Sequence, residues 1–428
     1  MKRRLLPILM TLVLVCALPI WAAFVTSGDV TNPLVCTAGA TLPDLQAKID
    51  AAEDNATITL DSDTTITETL VITGKTLTLD LNGCVLRMRG TGSVLKVSGR
   101  ATLTIQDSRP QNPHTGSYEN LPAGGVITGG EGTDLTGIYN VGGAVFLEND
   151  TTLELEGGTI TGNNSSGGSV FINGATFVMT GGTITGETVG VRNNVGTFTM
   201  IGGRITGCSD RGVYVYNGNM TMSGTAYIGE NPNARKGDIY VYETDHKHTD
   251  LSVTGGTIEG KVRIVFLESL HTTQKDWEAA ANSVVKEQGV FDGHIKVEKG
   301  TSGTCVDYNS VNFIDEVANT RTLKLVLQPN AVEEPETPDT VNGREFMYWT
   351  KEGVSEAWDF STEIKGPLTL YAVRTPASSS GGYYYYPTTD TKADDAKGSP
   401  KTADPGVALY AALSLLSLTG LACITKKR

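Results

Sequence analysis

The sequence predicts an all-β chain built from stacked, three-stranded coils, and three observations carry that expectation. A short phrase recurs along the middle of the chain: GGVITG from Gly124, GGTITG from Gly157 and Gly181, GGRITG from Gly202 and GGTIEG from Gly255, with a blurred copy, SGTAYIG, from Ser223. Between consecutive copies lie two further runs of alternating apolar and polar residues, so each unit holds three short strands and no helix. Composition agrees, since 50 glycines among 428 residues, with 19% charged and 7% aromatic, suit many tight corners and a polar exterior.

Aligning the units exposes their register. Val145, Val170, Val191, Val213, Ile239 and Val262 share one column, and two residues on stand Leu147, Ile172, Asn193, Val215, Val241 and Ile264. Side chains alternate faces along a strand, so both columns point inward. A second strand stacks Leu153, Phe177, Phe198, Met220 and Leu251, and then Leu155, Met179, Met200, Met222 and Val253. The third adds Ile160, Ile184, Ile205 and Ile258 between outward threonines. Coils of about 21–26 residues with like residues stacked on like resemble the right-handed parallel β-helix, the architecture of pectate-lyase-like proteins. A single coil cannot bury its apolar face, but stacking at about 4.8 Å per coil buries it against its neighbours. The repeated phrase is therefore structural, with glycine for the corner and isoleucine for the core.

In chain order, residues 1–23 open with Lys2, Arg3 and Arg4, continue through an apolar run from Leu5 to Ile20 and end on Ala22 and Ala23, the pattern of a secretory signal peptide. TLPDLQAKIDAAEDN then places Leu42, Leu45, Ile49 and Ala52 on one helical face, an N-terminal cap for the open end of the solenoid. The β-helix with this cap is expected over 42–268, with looser coils from Ala56 to Asp107 and a long loop ejected from Ser108 to Gly137. Residues 269–330 are expected to close the far end, with an amphipathic stretch around Gln274–Glu287 and strands near His294–Glu298 and Thr322–Gln328.

After an acidic hinge, EEPETPD, residues 338–374 carry Phe346, Trp349, Trp358, Phe360, Leu368, Leu370 and Tyr371. Their pattern, F-x-x-W, WDFST and LTLYA, resembles the Listeria-Bacteroides repeat of internalin-type surface proteins, which implies a small β-rich spacer or adhesive module with these residues in its core. Residues 375–398, including Tyr383–Tyr386, read as a low-complexity linker. The chain ends in SPKTADPG, an uncharged apolar run from Val407 to Ile424 and a basic tail, Lys426, Lys427 and Arg428. Ser399, Pro400, Lys401, Thr402 and Ala403 resemble a variant of the LPxTG sorting signal of Gram-positive surface proteins, with Ser for Leu and Ala for Gly. That resemblance implies sortase cleavage after Thr402 and covalent attachment to peptidoglycan. A plain transmembrane anchor is the alternative reading of the tail; both display the body of the protein outside the cell.

A formal net charge of −13 argues against nucleic acid and anionic membranes as partners. Cys36, Cys84, Cys208 and Cys305 have no metal-like spacing, and no cofactor is expected. Catalysis of the polysaccharide lyase or hydrolase kind needs converging carboxylates, whereas Glu148, Asp150, Glu154, Glu156, Glu187, Asp210 and Asp238 stand singly along the coils. His246 and His248 lack a third ligand at a telling spacing and read as a solvated turn.

The outward columns of the first strand are the candidate site. One runs Phe146, Phe171, Arg192, Tyr214, Tyr240, Arg263; the next runs Glu148, Asn173, Asn194, Tyr216, Tyr242, Val265. Exposed rings beside Asn and Arg suit sugar stacking and hydrogen bonding, so Phe146, Phe171, Arg192, Tyr214, Tyr216, Tyr240 and Tyr242 are the expected ligand-binding residues for a glycan or host surface component. Rings that only stabilise the sheet, or that the Ser108–Gly137 loop covers, are the competing reading. A non-catalytic, wall-anchored adhesin is thus the favoured expectation, with a surface-held polysaccharide-degrading enzyme as the alternative.

Overall fold

A computed structural model describes residues 40–135, 140–231, 237–243, 249–266, 291–292, 305–328 and 330–377. Strands alternate in chain order among an eight-stranded, a nine-stranded and a thirteen-stranded sheet, and within the coils each sheet takes one strand per coil. The eight strands of the eight-stranded sheet mark eight coils, so the fold is a parallel β-solenoid. Register follows the predicted columns: Leu153 pairs with Phe177, Phe177 with Phe198, Phe198 with Met220 and Met220 with Leu251. These side chains are buried in one continuous core, and the Phe177 and Phe198 rings stack at 4.9 Å.

Close packing explains the glycine pair in the repeated phrase. A Cβ on Gly181 or Gly202 would collide with the carbonyl oxygen of Glu156 or Thr180 on the coil below, and the following Gly182 and Gly203 hold φ of +70° and +78°. The first position lacks room for a side chain, and the second takes a left-handed backbone that glycine adopts without strain.

The expected single loop from Ser108 to Gly137 is two excursions around a strand. Val126–Thr128, the VIT of the first GGVITG copy, pairs in the nine-stranded sheet with Val85–Met88 and Thr159–Thr161 and delivers Ile127 to the core. The first excursion lays Tyr118 against Val85 and Val126 on the outside of that sheet. The second carries a short antiparallel pair, Thr133–Asp134 with Asn140–Val141.

Both ends of the core are closed. Helix Leu42–Ala51 buries Leu45 and Ile49 in the main core. Lys75 Nζ donates to the carbonyls of Ile49, Asp50 and Ala52 at 3.0, 3.0 and 2.7 Å, which satisfies acceptors that a helix end leaves open. The Gln46 amide pairs with both backbone groups of Val71, accepting from its N–H at 2.9 Å and donating to its carbonyl at 3.0 Å. Val71 lies in the terminal strand of the thirteen-stranded sheet, so this side chain substitutes for a further strand at an exposed edge. Gln46→Ala is expected to lower the unfolding free energy by about 1 kcal/mol in a urea titration, the net worth of such hydrogen bonds.

At the other end Lys261–Phe266 pairs antiparallel with Cys305–Asp315, which turns back into Thr320–Leu327. Tyr308, Leu323, Leu325 and Leu327 from this hairpin join the main core. Leu368–Arg374 adds in parallel beside Val311–Ile314 and pairs with Phe346–Thr350. The aromatic segment after the acidic hinge is therefore hydrogen-bonded into the solenoid's longest sheet. Trp349 and Leu370 are buried with Val311, Phe313 and Val326, and Phe346, Trp358, Phe360 and Leu368 pack around them. Tyr371 is half-buried.

Candidate functional site

The thirteen-stranded sheet places the outward columns in the expected register, because alternation along each strand and in-line stacking across coils leave no freedom once the inward columns are buried. Phe146 pairs with Phe171, Phe171 with Arg192, Arg192 with Tyr214, and Tyr214 with Tyr240. Alongside, Asn173 pairs with Asn194, Asn194 with Tyr216 and Tyr216 with Tyr242.

Exposure divides the column. Phe146 and Phe171 are only 3% and 2% exposed, so they are not available as ligand contacts. They stack face to face at 5.6 Å and are packed with Val141, which the second excursion brings over them. The cover thus comes from Val141 and not from the Ser108 segment, which lies on a different sheet. Arg192, Tyr214, Tyr216, Tyr240 and Tyr242 remain half-buried.

These five residues form one connected patch, packed against the buried Arg211, which pairs with Asp210 at 3.1 Å. The Arg192 guanidinium lies 5.0 Å from the Tyr214 ring, and that of Arg211 lies 4.4 and 4.6 Å from Tyr214 and Tyr240. Tyr214 meets Tyr240 edge-on at 5.4 Å, whereas Tyr216 and Tyr242 stack at 5.9 Å and 15°. Burial pushes the Tyr214 hydroxyl up to about 12 although both guanidinium groups pull it down, so it stays a neutral donor. Arg211 was missed in the sequence; it opens its strand beside the column and its side chain reaches sideways over two coils.

Next to this patch, where the thirteen-stranded sheet turns into the eight-stranded one, a groove of about 510 Å³ crosses four coils. Thr152, Thr176, Thr197 and Asn219, in register on successive coils, line it together with the turn residues Asp150, Gly174, Val195 and Asn217. Those turns hold φ of +61°, +64°, +61° and +48°. Glycine, Asn and Asp tolerate this conformation, but valine does not: it costs an L-residue about 1–2 kcal/mol. Val195 is nevertheless there, and 60% exposed. Asn193, the polar member of an inward column, holds the turn: its Oδ1 accepts from Gly196 N–H at 2.9 Å, and its Nδ2 donates to the carbonyls of Gly196 and Asn219 at 3.1 and 2.7 Å.

Two acids expected to stand alone are buried in a polar ladder along another corner. Glu187 accepts from Asn163 N–H at 3.3 and 3.2 Å and from its Nδ2 at 3.1 Å. Asp238 accepts from Asn231 Nδ2 at 2.8 Å and from Gly260 N–H at 2.6 Å. Desolvation raises the Glu187 carboxyl to about 7 and that of Asp238 to about 6, against hydrogen bonds that lower both. Cys208 sits between them as a buried free thiol, pushed up to about 12 by burial and then by Glu187. Cys84 is disulfide-bonded, which the cysteine spacing did not foretell. Of the other acids, Glu154 is half-buried and accepts from Thr104 Oγ1 at 3.1 Å, and Glu156 is exposed.

The segment 1–23, the stretch Gln274–Glu287, the strand near His294–Glu298, His246, His248, the linker with Tyr383–Tyr386, and Ser399, Pro400, Lys401, Thr402 and Ala403 lie outside the described residues. Among the described residues no helix is long and apolar enough to cross a membrane, and no group of three or more His, Cys, Asp or Glu is placed to hold a metal ion. Compared with known proteins, the chain matches no family model, no curated protein and no solved structure.

Proposed function

We propose that this chain is a non-catalytic protein displayed on a Gram-positive cell wall, and that the tyrosine patch on its longest sheet binds glycan. The observation that carries the binding reading is the patch of Tyr214, Tyr216, Tyr240 and Tyr242 on adjacent coils, half-buried and threaded by Arg192 and Arg211. Ring faces offer apolar area to the C–H face of a sugar, while the phenolic groups and the Arg192 guanidinium beside them bond its hydroxyls or carboxylates. A solenoid holds these rings on rigid strands, so little ordering entropy opposes binding. Display rests on the apolar, basic-led start and on the resemblance of Ser399–Ala403 to a sorting signal, with peptidoglycan as the covalent partner through Thr402.

The test is a glycan array with the full chain, scored in parallel for release of reducing or unsaturated sugar ends. Wild-type protein is expected to bind without releasing product. The Tyr216→Ala/Tyr242→Ala variant is expected to lose about 1–3 kcal/mol of binding, about tenfold to a hundredfold, while its thermal midpoint stays close to that of wild type. Product release, or a variant that loses affinity for none of the bound glycans, sinks this reading.

A further inference from the structure

We propose that the corner groove is a second binding site, for an extended, uncharged, polyhydroxylated chain such as a linear neutral polysaccharide lying along the solenoid axis, with Val195 as its apolar contact. The inference stands on the groove and not on the tyrosine patch, and either can fail without the other. At about 510 Å³ the groove has the size of a small-ligand site, and its long direction follows the stack.

Its lining repeats. Thr152, Thr176, Thr197 and Asn219 occupy one register position on four successive coils, so a hydroxyl or amide recurs at the coil spacing of about 4.8 Å. Each rung both donates and accepts, which suits a polymer that presents hydroxyls at every step. Charge selects within that class. Asp150 is the one charged side chain among the lining residues, and the chain as a whole carries −13, so a polyanion is repelled and no basic residue compensates.

Val195 supplies the remaining element. Gly174, Val195 and Asn217 hold the same turn position, and the left-handed backbone there suits the first and last of them. Glycine at 195 would serve the fold better, yet a branched apolar side chain stands exposed at the lip of a groove whose other side chains, Ala175 apart, are polar. Strain kept against the interest of folding, at a concave site, marks a contact that something else requires. An isopropyl group beside a hydroxyl ladder matches a sugar chain, whose edges are polar and whose faces are C–H.

Calorimetric titration of the full chain with cellohexaose, xylohexaose and mannohexaose, and with a hexauronate as the charged probe, tests this. At least one neutral hexaose is expected to bind, and the hexauronate to bind more weakly. Val195→Gly is expected to raise the thermal midpoint while weakening that binding about tenfold, and Thr176→Val/Thr197→Val, which keeps strand propensity, to weaken it by a similar factor. The Tyr216→Ala/Tyr242→Ala variant is expected to leave it within about twofold. The proposal is overturned if no neutral hexaose binds, if the hexauronate binds best, if Val195→Gly leaves the affinity unchanged, or if the tyrosine variant abolishes the binding.

Discussion

Replacing Arg374 with alanine is expected to lower the stability of the C-terminal end of the solenoid by about 3–5 kcal/mol, the cost of orphaning a buried charge. Arg374 and Asp315 are each 1% exposed at the side chain. The guanidinium donates to the carboxylate from Nη2 at 2.6 Å and from Nε at 3.0 Å, and from Nη1 to the Arg344 carbonyl at 2.9 Å. Asp315 also accepts from Val317 and Ala318 N–H at 3.1 Å, so the pair is fully satisfied and ties Leu368–Arg374 to the closing hairpin. Hydrogen bonding from Arg374 holds the Asp315 carboxyl below its ordinary range. A depressed folded-state value contributes stability that is present above the unfolded value, about 3.9, and lost as pH falls through the folded one. In Arg374→Ala the same carboxylate is desolvated and unpaired, so acidification toward pH 4 should narrow the gap between the variant and wild type, in which the pair is still ionised. Tryptophan emission in urea reads this directly, because Trp349 and Trp358 lie in the adjoining core. The double change Asp315→Leu/Arg374→Met should recover most of the loss. An Arg374→Ala midpoint equal to wild type at pH 7 would contradict the role given to this pair.

The second large effect has the opposite sign in pH. Glu187 keeps its proton in the folded state up to about 7, against an ordinary 4.5. Folding is therefore favoured most below the ordinary value, and that contribution, about 3 kcal/mol at 1.36 kcal/mol per unit, is lost as pH rises from there to the folded value. Asp238, held to about 6 against 3.8, acts in the same direction. Wild-type protein should thus be more stable near pH 5 than near pH 8, with Asp315 setting the acid limit. Glu187→Gln removes the titrating group and keeps its shape; it should flatten the profile and exceed wild type at pH 8 by about 2–3 kcal/mol. Urea titrations at pH 5 and 8, followed by far-ultraviolet circular dichroism, decide this. Greater wild-type stability at pH 8 would refute the buried-acid assignment.

The core was legible because a solenoid writes itself as columns. Leu153, Phe177, Phe198, Met220 and Leu251 show period two along each strand and like residues across coils, and both signals survive in the structure. The same logic placed Tyr214 on Tyr240 and Tyr216 on Tyr242. Even Asn193, an exception in an apolar column, was an informative one, since a buried amide must find partners and these partners make the turn that carries Val195.

What the columns could not show happens at corners and in excursions. Phe146 and Phe171 alternate outward as read, but Val141 comes from a segment outside the repeat and buries them. Glu187 and Asp238 sit between strands, where alternation carries no information; the stacking of turns brings Glu187 against Asn163, and the path of a single turn brings Asp238 against Asn231. The left-handed conformation of Val195 repeats that of Gly174 and Asn217 in the stack, a position at which valine gives no sequence signal of it. Arg211 reaches the tyrosines by its length, which strand register does not encode.

A crystal structure with an array glycan whose binding the Tyr216→Ala/Tyr242→Ala variant loses tests most directly whether the tyrosine patch holds sugar. Sugar on the patch predicts an intact ring packed within about 4–4.5 Å of the Tyr216 or Tyr242 ring face, with Arg192 bonded to its substituents. A tyrosine patch without sugar while glycan is bound elsewhere on the chain, or a cleaved ligand, would contradict it.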